Sequence, residues 1–118
     1  MFRFENLEVY QKAVSFSNLV YSEVKSWPRI YQFSLADQIC RAALSIALNI
    51  ADGSSRAGKE FGRFLSIARG SCFECVPLIE IAYKQKLIST KQEKEWYNHC
   101  ISLAKMLSKL KSSLTLAK

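Results

Sequence analysis

The sequence predicts an all-α protein, a four-helix bundle whose helices run up-down-up-down. Apolar residues recur at helical spacing in four long segments. The breaks between those segments are short, which favours antiparallel neighbours. Strand signals are missing: no run of period two is bounded by turn residues, and Asp52-Gly53 follows a helical pattern instead of joining two strands. The 118 residues, 49% hydrophobic and 23% charged, make residues 1–118 one domain on size. A chain of this length buries roughly two-thirds of the surface that its unfolded form exposes, so its core needs neither a metal nor a disulfide.

The first helix is expected over residues 7–25. Leu7, Tyr10, Val14, Ser17, Tyr21 and Val24 follow steps of three and four, with Val9, Ala13, Phe16 and Val20 widening the stripe. Trp27-Pro28 ends it, because the residue before proline is pushed out of the α region. Ser34-Leu35-Ala36-Asp37 reads as a capping box that opens a second helix reaching about residue 52. Residues 53–58 turn the chain into a long third helix that ends near residue 86. Pro77 lies inside it and removes the backbone bond to the Phe73 carbonyl, so a kink is expected. Thr90-Lys91-Gln92-Glu93 reads as the capping box of the fourth helix. There Trp96, Cys100, Leu103, Leu107, Leu110 and Leu114 form a seam like that of a coiled coil.

The second helix is more apolar than one buried stripe requires, with twelve of the seventeen residues 35–51 apolar. Of its polar residues, Gln38, Arg41, Ser45, Asn49 and Asp52 fall within about 80° of one another at 100° per residue. A helix this greasy is covered on several sides, and a second subunit is the economical cover. The third helix carries a matching line in Glu60, Arg63, Ser71 and Glu74, with Gly70 beside it. Packed against each other, the two lines form a partly buried polar network of Arg41, Ser45, Asn49, Ser71 and Glu74, centred on an Arg41–Glu74 pair. Gly70 and Ser71 are small enough to let the backbones approach. The purpose of such a network is register, not catalysis.

Charge is unevenly spread. Lysine and arginine outnumber acids 17 to 10, a net +7, of which residues 1–57 hold +1 and residues 58–118 hold +6. After residue 100 come Lys105, Lys109, Lys111 and Lys118 with no acid. Lys91, Lys94, Asn98, Ser102, Lys105 and Lys109 share the face opposite the seam, so the basic surface is one helical stripe. A solvated lysine face for solubility is the plainer reading; a surface for anionic partners, nucleic acid first among them, is the sharper one.

No constellation points to catalysis. Cys72-Phe73-Glu74-Cys75 is a C-x-x-C, but it lies mid-helix and not at the helix N-terminus that would activate a thiol. With Cys40 and Cys100 it supplies four thiols but only one spaced pair, short of a zinc pattern. We expect structural thiols, unbridged, and no metal or other cofactor. His99, the only histidine, has no carboxylate arranged to orient it. The segment Gly53-Ser54-Ser55-Arg56-Ala57-Gly58-Lys59 slightly resembles a phosphate loop, yet it joins two helices and lacks the Lys-Ser/Thr pair. Free amides at the start of helix three, aided by Arg56 and Lys59, remain a weaker phosphate site. No enzyme is expected. The most apolar stretch, residues 42–51, is half the length of a membrane span. The N-terminus has no apolar signal core, so the cytoplasm is the default location.

Several stretches carry a family resemblance: residues 4–13, Gln38-Ile39, residues 41–51, Gly53, Arg56, Glu60-Phe61, residues 63–71 and Glu74. Together they resemble the small four-helix bundle proteins encoded in intervening sequences of bacterial 23S ribosomal RNA genes. The likeness runs through helix three, and helix four matches in pattern only. It implies an antiparallel bundle assembled as a ring-like homopentamer. It also implies kinship with the accessory protein of diversity-generating retroelements, a pentamer that works with a reverse transcriptase and binds nucleic acid. The family's polar signature maps onto Arg41, Ser45, Asn49, Ser71 and Glu74. Asp52 stands where glutamate is usual, and Pro77 is a departure.

The expected function is a non-enzymatic, oligomeric, cytoplasmic bundle that binds nucleic acid, RNA above all, without strong sequence preference. Arg56, Lys59, Lys105, Lys109 and Lys111 are the expected phosphate contacts. Five copies would carry about +35, enough to bind by counterion release. The alternative is a protein–protein adaptor, a ring that docks a partner such as a polymerase or reverse transcriptase.

Overall fold

The computed structural model describes residues 1–116, with side chains through residue 114; Lys118 of the basic tail lies outside them. A 3-10 turn, Arg3–Asn6, leads into α1 (Glu8–Val24), a one-turn α2 (Arg29–Gln32), α3 (Leu35–Ser54), α4 (Gly58–Lys84) and α5 (Thr90–Leu116). Among the described residues there is no strand, and no helix is long and apolar enough to cross a membrane. The four long helices pack into a rod of 49 × 23 × 20 Å, with α3 mainly against α4, α4 against α5, and α1 against α3 and α5.

The core runs the length of the rod. Phe16 and Val20 of α1, Ile39, Ile46 and Ile50 of α3, Leu65 and Ile79 of α4, and Trp96, Leu103 and Leu107 of α5 are sealed from solvent. The α5 seam is as expected through Leu107, with Leu110 and Leu114 half-buried. On α1 the buried line is Val9, Ala13, Phe16, Val20 and Val24, while Val14 and Tyr21 are exposed. The expected stripe is therefore rotated by one position, centred on Phe16, whose ring packs edge-on against Trp96 of α5 at 6.5 Å.

The helix ends depart most from expectation. Ser34 makes no cap bond at α3; its hydroxyl turns back to the Ile30 and Tyr31 carbonyls at 3.4 and 3.5 Å, since α2 ends immediately before it. At α5 the reciprocal box sits one residue earlier than Thr90-Glu93. The Ser89 N–H donates to Gln92 Oε1 (2.8 Å), and the Gln92 N–H to Ser89 Oγ (3.1 Å). Gln92 is held there because its amide also donates to Glu23 of α1 at 2.6 Å. Helix α4 continues through Pro77 and stops at Lys84. There Lys86 takes φ 63° while the Leu87 N–H reaches the Ala82 carbonyl and the Lys86 N–H the Tyr83 carbonyl, a Schellman ending without glycine.

Glycine matters where α3 meets α4, though not at Gly70, around which the space is open. Gly53 is buried in the last turn of α3, and a Cβ there would stand 2.5 Å from Phe64 Cβ and 3.0 Å from the Phe61 ring.

Candidate nucleic-acid interface

The basic stripe of α5 is present as a surface. Lys91, Lys94, Asn98, Lys105 and Lys109 are exposed and Ser102 is half-buried, because the seam on the opposite face turns them outward. Lys59, in the first turn of α4, is exposed as well. Among the described residues no carboxylate pairs with Lys59, Lys105 or Lys109, so their charge is offered to solvent.

The other two expected phosphate contacts are engaged within the chain. The Arg56 guanidinium lies 3.4 Å from Asp52 and 3.6 Å from Glu60, and 4.7 Å from the centre of the Phe64 ring. It closes the α3–α4 corner and so is not held over the first amides of α4, where Ala57 provides no side-chain cap. Lys111 crosses from α5 to α4, donating from Nζ to Ser66 Oγ at 2.6 Å with its stem along Gly62.

Three of the five residues in the expected polar network meet. Ser71 donates to Ser45 Oγ at 2.9 Å, and the Asn49 amide donates to the same oxygen at 2.9 Å and to the Ser45 carbonyl at 2.8 Å. Ser71 is only 4% exposed while Ser45 and Asn49 are half-buried, so this small triad joins α3 to α4 at the edge of the core. Arg41 and Glu74 do not pair. Arg41 bonds Asp37 on its own helix at 2.9 Å, and its side chain is 78% exposed. Asp37 is free for this because the Ser34 capping box does not form, and an acid one turn before an arginine is the nearer partner. Arg41 and Glu74 instead flank a shallow surface hollow with Ser45 and Ser71 between them.

The thiols Cys40, Cys72, Cys75 and Cys100 are free and buried. Burial pushes the Cys72 thiol up to about 12, with the neighbouring Cys100 adding to it. Cys75 is raised well above the ordinary range, first by its hydrogen bond with Cys100 and then by burial. Burial and the nearby Asp37 raise Cys40. The thiolate is the nucleophile and metal ligand, so Cys40, Cys72 and Cys75 are held in their inert form. Among the described residues no three His, Cys, Asp or Glu side chains gather as a metal site, and His99 packs against Phe16 at 5.6 Å.

Sequence reasoning missed a groove of about 550 Å³ between α4 and α5. Phe73 and Tyr97 stand on it, 57% and 45% exposed, and Arg69 and Lys105 line it. The available signal was that Phe73 and Tyr97 each lie off the apolar seam of their own helix.

Three comparisons bear on this arrangement. The family model described as 23S rRNA-intervening sequence protein matches residues 5–109. The crystal structure of a protein of unknown function from the S23 ribosomal protein family of Bacteroides thetaiotaomicron VPI-5482 superposes with a TM-score of 0.81. It shares 22% identity and covers 88% of this chain and 95% of its own. No curated protein matches the chain.

Proposed function

The chain belongs to the 23S rRNA-intervening sequence protein family, and from that premise we propose that it is a non-enzymatic, oligomeric helical bundle that binds RNA through its basic surface. The observation that carries this reading is the run of exposed, unpaired lysines on α5, Lys105 and Lys109 foremost, with Lys59 on α4. Lysines that make no ion pair keep their full charge for phosphates, and each contact releases condensed counterions. Lys111 and Arg56 contribute to the field from positions already anchored within the chain.

The up-down-up-down order is supported by paired cross-helix contacts whose numbers run in opposite directions: Ser45 with Ser71 and Gly53 with Phe64 between α3 and α4, Ser66 with Lys111 and Cys75 with Cys100 between α4 and α5. Assembly into a ring-like homo-oligomer, the pentamer implied by the sequence resemblance, is supported by apolar surface left on α3. Leu48 is 56% exposed and Leu44, one turn earlier, is also exposed, with Ile67 of α4 likewise uncovered. Repetition of the net +7 around a ring multiplies the field that a strand of RNA meets.

Fluorescence anisotropy of a labelled RNA at two salt concentrations tests the reading. Binding with Kd in the range of about 1–100 μM at physiological salt, tightening steeply as salt is lowered, is the expected result. Lys105→Gln and Lys109→Gln each reduce the slope of log K against log salt by about one. Absence of binding at low salt ends the reading. Capture of a protein partner that survives nuclease and high salt would favour the adaptor instead.

A further inference from the structure

The groove between α4 and α5 is chemically unlike the stripe beside it. Its base is apolar, built on Cys72, Val76, Cys100 and Ala104. Phe73 and Tyr97 rise at its sides, and the Arg69 guanidinium lies 4.7 Å from the Phe73 ring centre. Arg69 and Lys105 both line it, and no carboxylate does. Lys109, one turn beyond Lys105 on α5, carries the positive charge onward from the groove.

We propose that this groove seats unpaired nucleobases of single-stranded RNA, stacked on Tyr97 and Phe73, with Arg69 and Lys105 on the adjoining phosphates. The proposal rests on the RNA-binding reading and adds a preference that backbone charge cannot produce, single strand over duplex. A nucleotide is a flat body with an anion attached, and the groove offers exposed rings and an apolar base with two cations beside them. Stacking tolerates any base because every base has a π-face, and arginine adds a cation–π contribution. An apolar partner helix fits less well. Past Tyr97 and Val76 the hollow continues onto Glu80, Glu93 and Lys94, whose charges a long apolar face would bury.

Three labelled probes of equal length test it: an unstructured single-stranded RNA, the same strand made abasic, and the strand annealed to its complement. The wild-type protein binds the intact single strand more tightly than the other two. Tyr97→Ala lowers single-strand affinity about five- to 150-fold with the salt slope unchanged, and Tyr97→Phe restores it. Phe73→Ala, on the opposite side, does the same to a smaller degree because Arg69 already covers part of that ring. Both side chains are substantially exposed, so circular dichroism stays that of the wild type. Salt-dependent binding that is equal for intact and abasic strands, or untouched by Tyr97→Ala, overturns the groove and leaves the backbone reading standing. Failure of the wild type to bind any probe at low salt removes both. A change in mass by light scattering on Tyr97→Ala would make this face a contact between copies of the chain and overturn the proposal.

Discussion

Cysteine at positions 40, 72, 75 and 100 behaves as a small apolar side chain, and at Cys72 and Cys40 the raised thiol reports that burial. Cys72 is raised to about 12 from an ordinary thiol value of 9.0, so the folded state keeps its proton at pH values where the unfolded chain has lost it. The unfolded state then binds fewer protons, and stability falls as pH climbs from 9 toward 12, by about 1.4 kcal/mol per unit for this one thiol. Below pH 8 the same thiol leaves stability independent of pH. Chemical denaturation at pH 8 and pH 10 measures the difference, which shrinks in Cys72→Ala relative to the wild type. Sequence spacing identified these thiols as structural because the C-x-x-C lies mid-helix. It could not foresee that Cys75 would face Cys100 of another helix. Arg41 teaches the same point: its pairing with Asp37 depended on whether Ser34 claimed that carboxylate, a choice made by the turn from α2.

Helices α3 and α4 are joined by a corner whose packing depends on one missing side chain. Gly53 lets the last turn of α3 lie against Phe61 and Phe64, and Arg56 stacks over the second of these rings. Gly53→Ala places a Cβ at 2.5 Å from Phe64 Cβ, closer than real Cβ contacts come. Overpacking of this kind costs about 1–3 kcal/mol, and the better helix propensity of alanine returns up to about 1 kcal/mol. A net destabilisation of about 1–2 kcal/mol is expected in urea titration, whereas Gly70→Ala, facing open space, is neutral or stabilising. Helix α4 ends at Lys84 and not nearer residue 86 because Lys86 adopts a left-handed conformation, for which the sequence offers no glycine as a signal. Similarly, the α5 cap is Ser89–Gln92 because Glu23 of α1 fixes Gln92, a partner 69 residues away.

Taken whole, the rod is covered unevenly. The side of α3 bearing Leu44 and Leu48 is left open, while the α4–α5 side carries the groove and the lysines. The apolar excess of the second helix implies more cover than a lone bundle provides, and Leu48 at 56% exposure is where that excess lies. If subunits meet there, Leu48→Glu lowers the mass seen by light scattering toward a single copy and keeps the helical circular dichroism, since the residue is outside the core. Under the proposed RNA-binding function, that loss of assembly is expected to weaken binding by dispersing the field, with the per-subunit contacts intact. A mass unchanged by Leu48→Glu excludes that face as the contact.

Four amphipathic helices, the polar line on the second and third, and the lysine face opposite the α5 seam were all determined by periodicity, because each is a property of one helix and its own 3.6-residue repeat. The tertiary structure alone decided which members of the polar line meet, which cations stay unpaired, and that Phe73 and Tyr97 face one groove. Those outcomes turn on the rotation and axial offset of one helix against another, set by side-chain volumes such as the absent Cβ of Gly53.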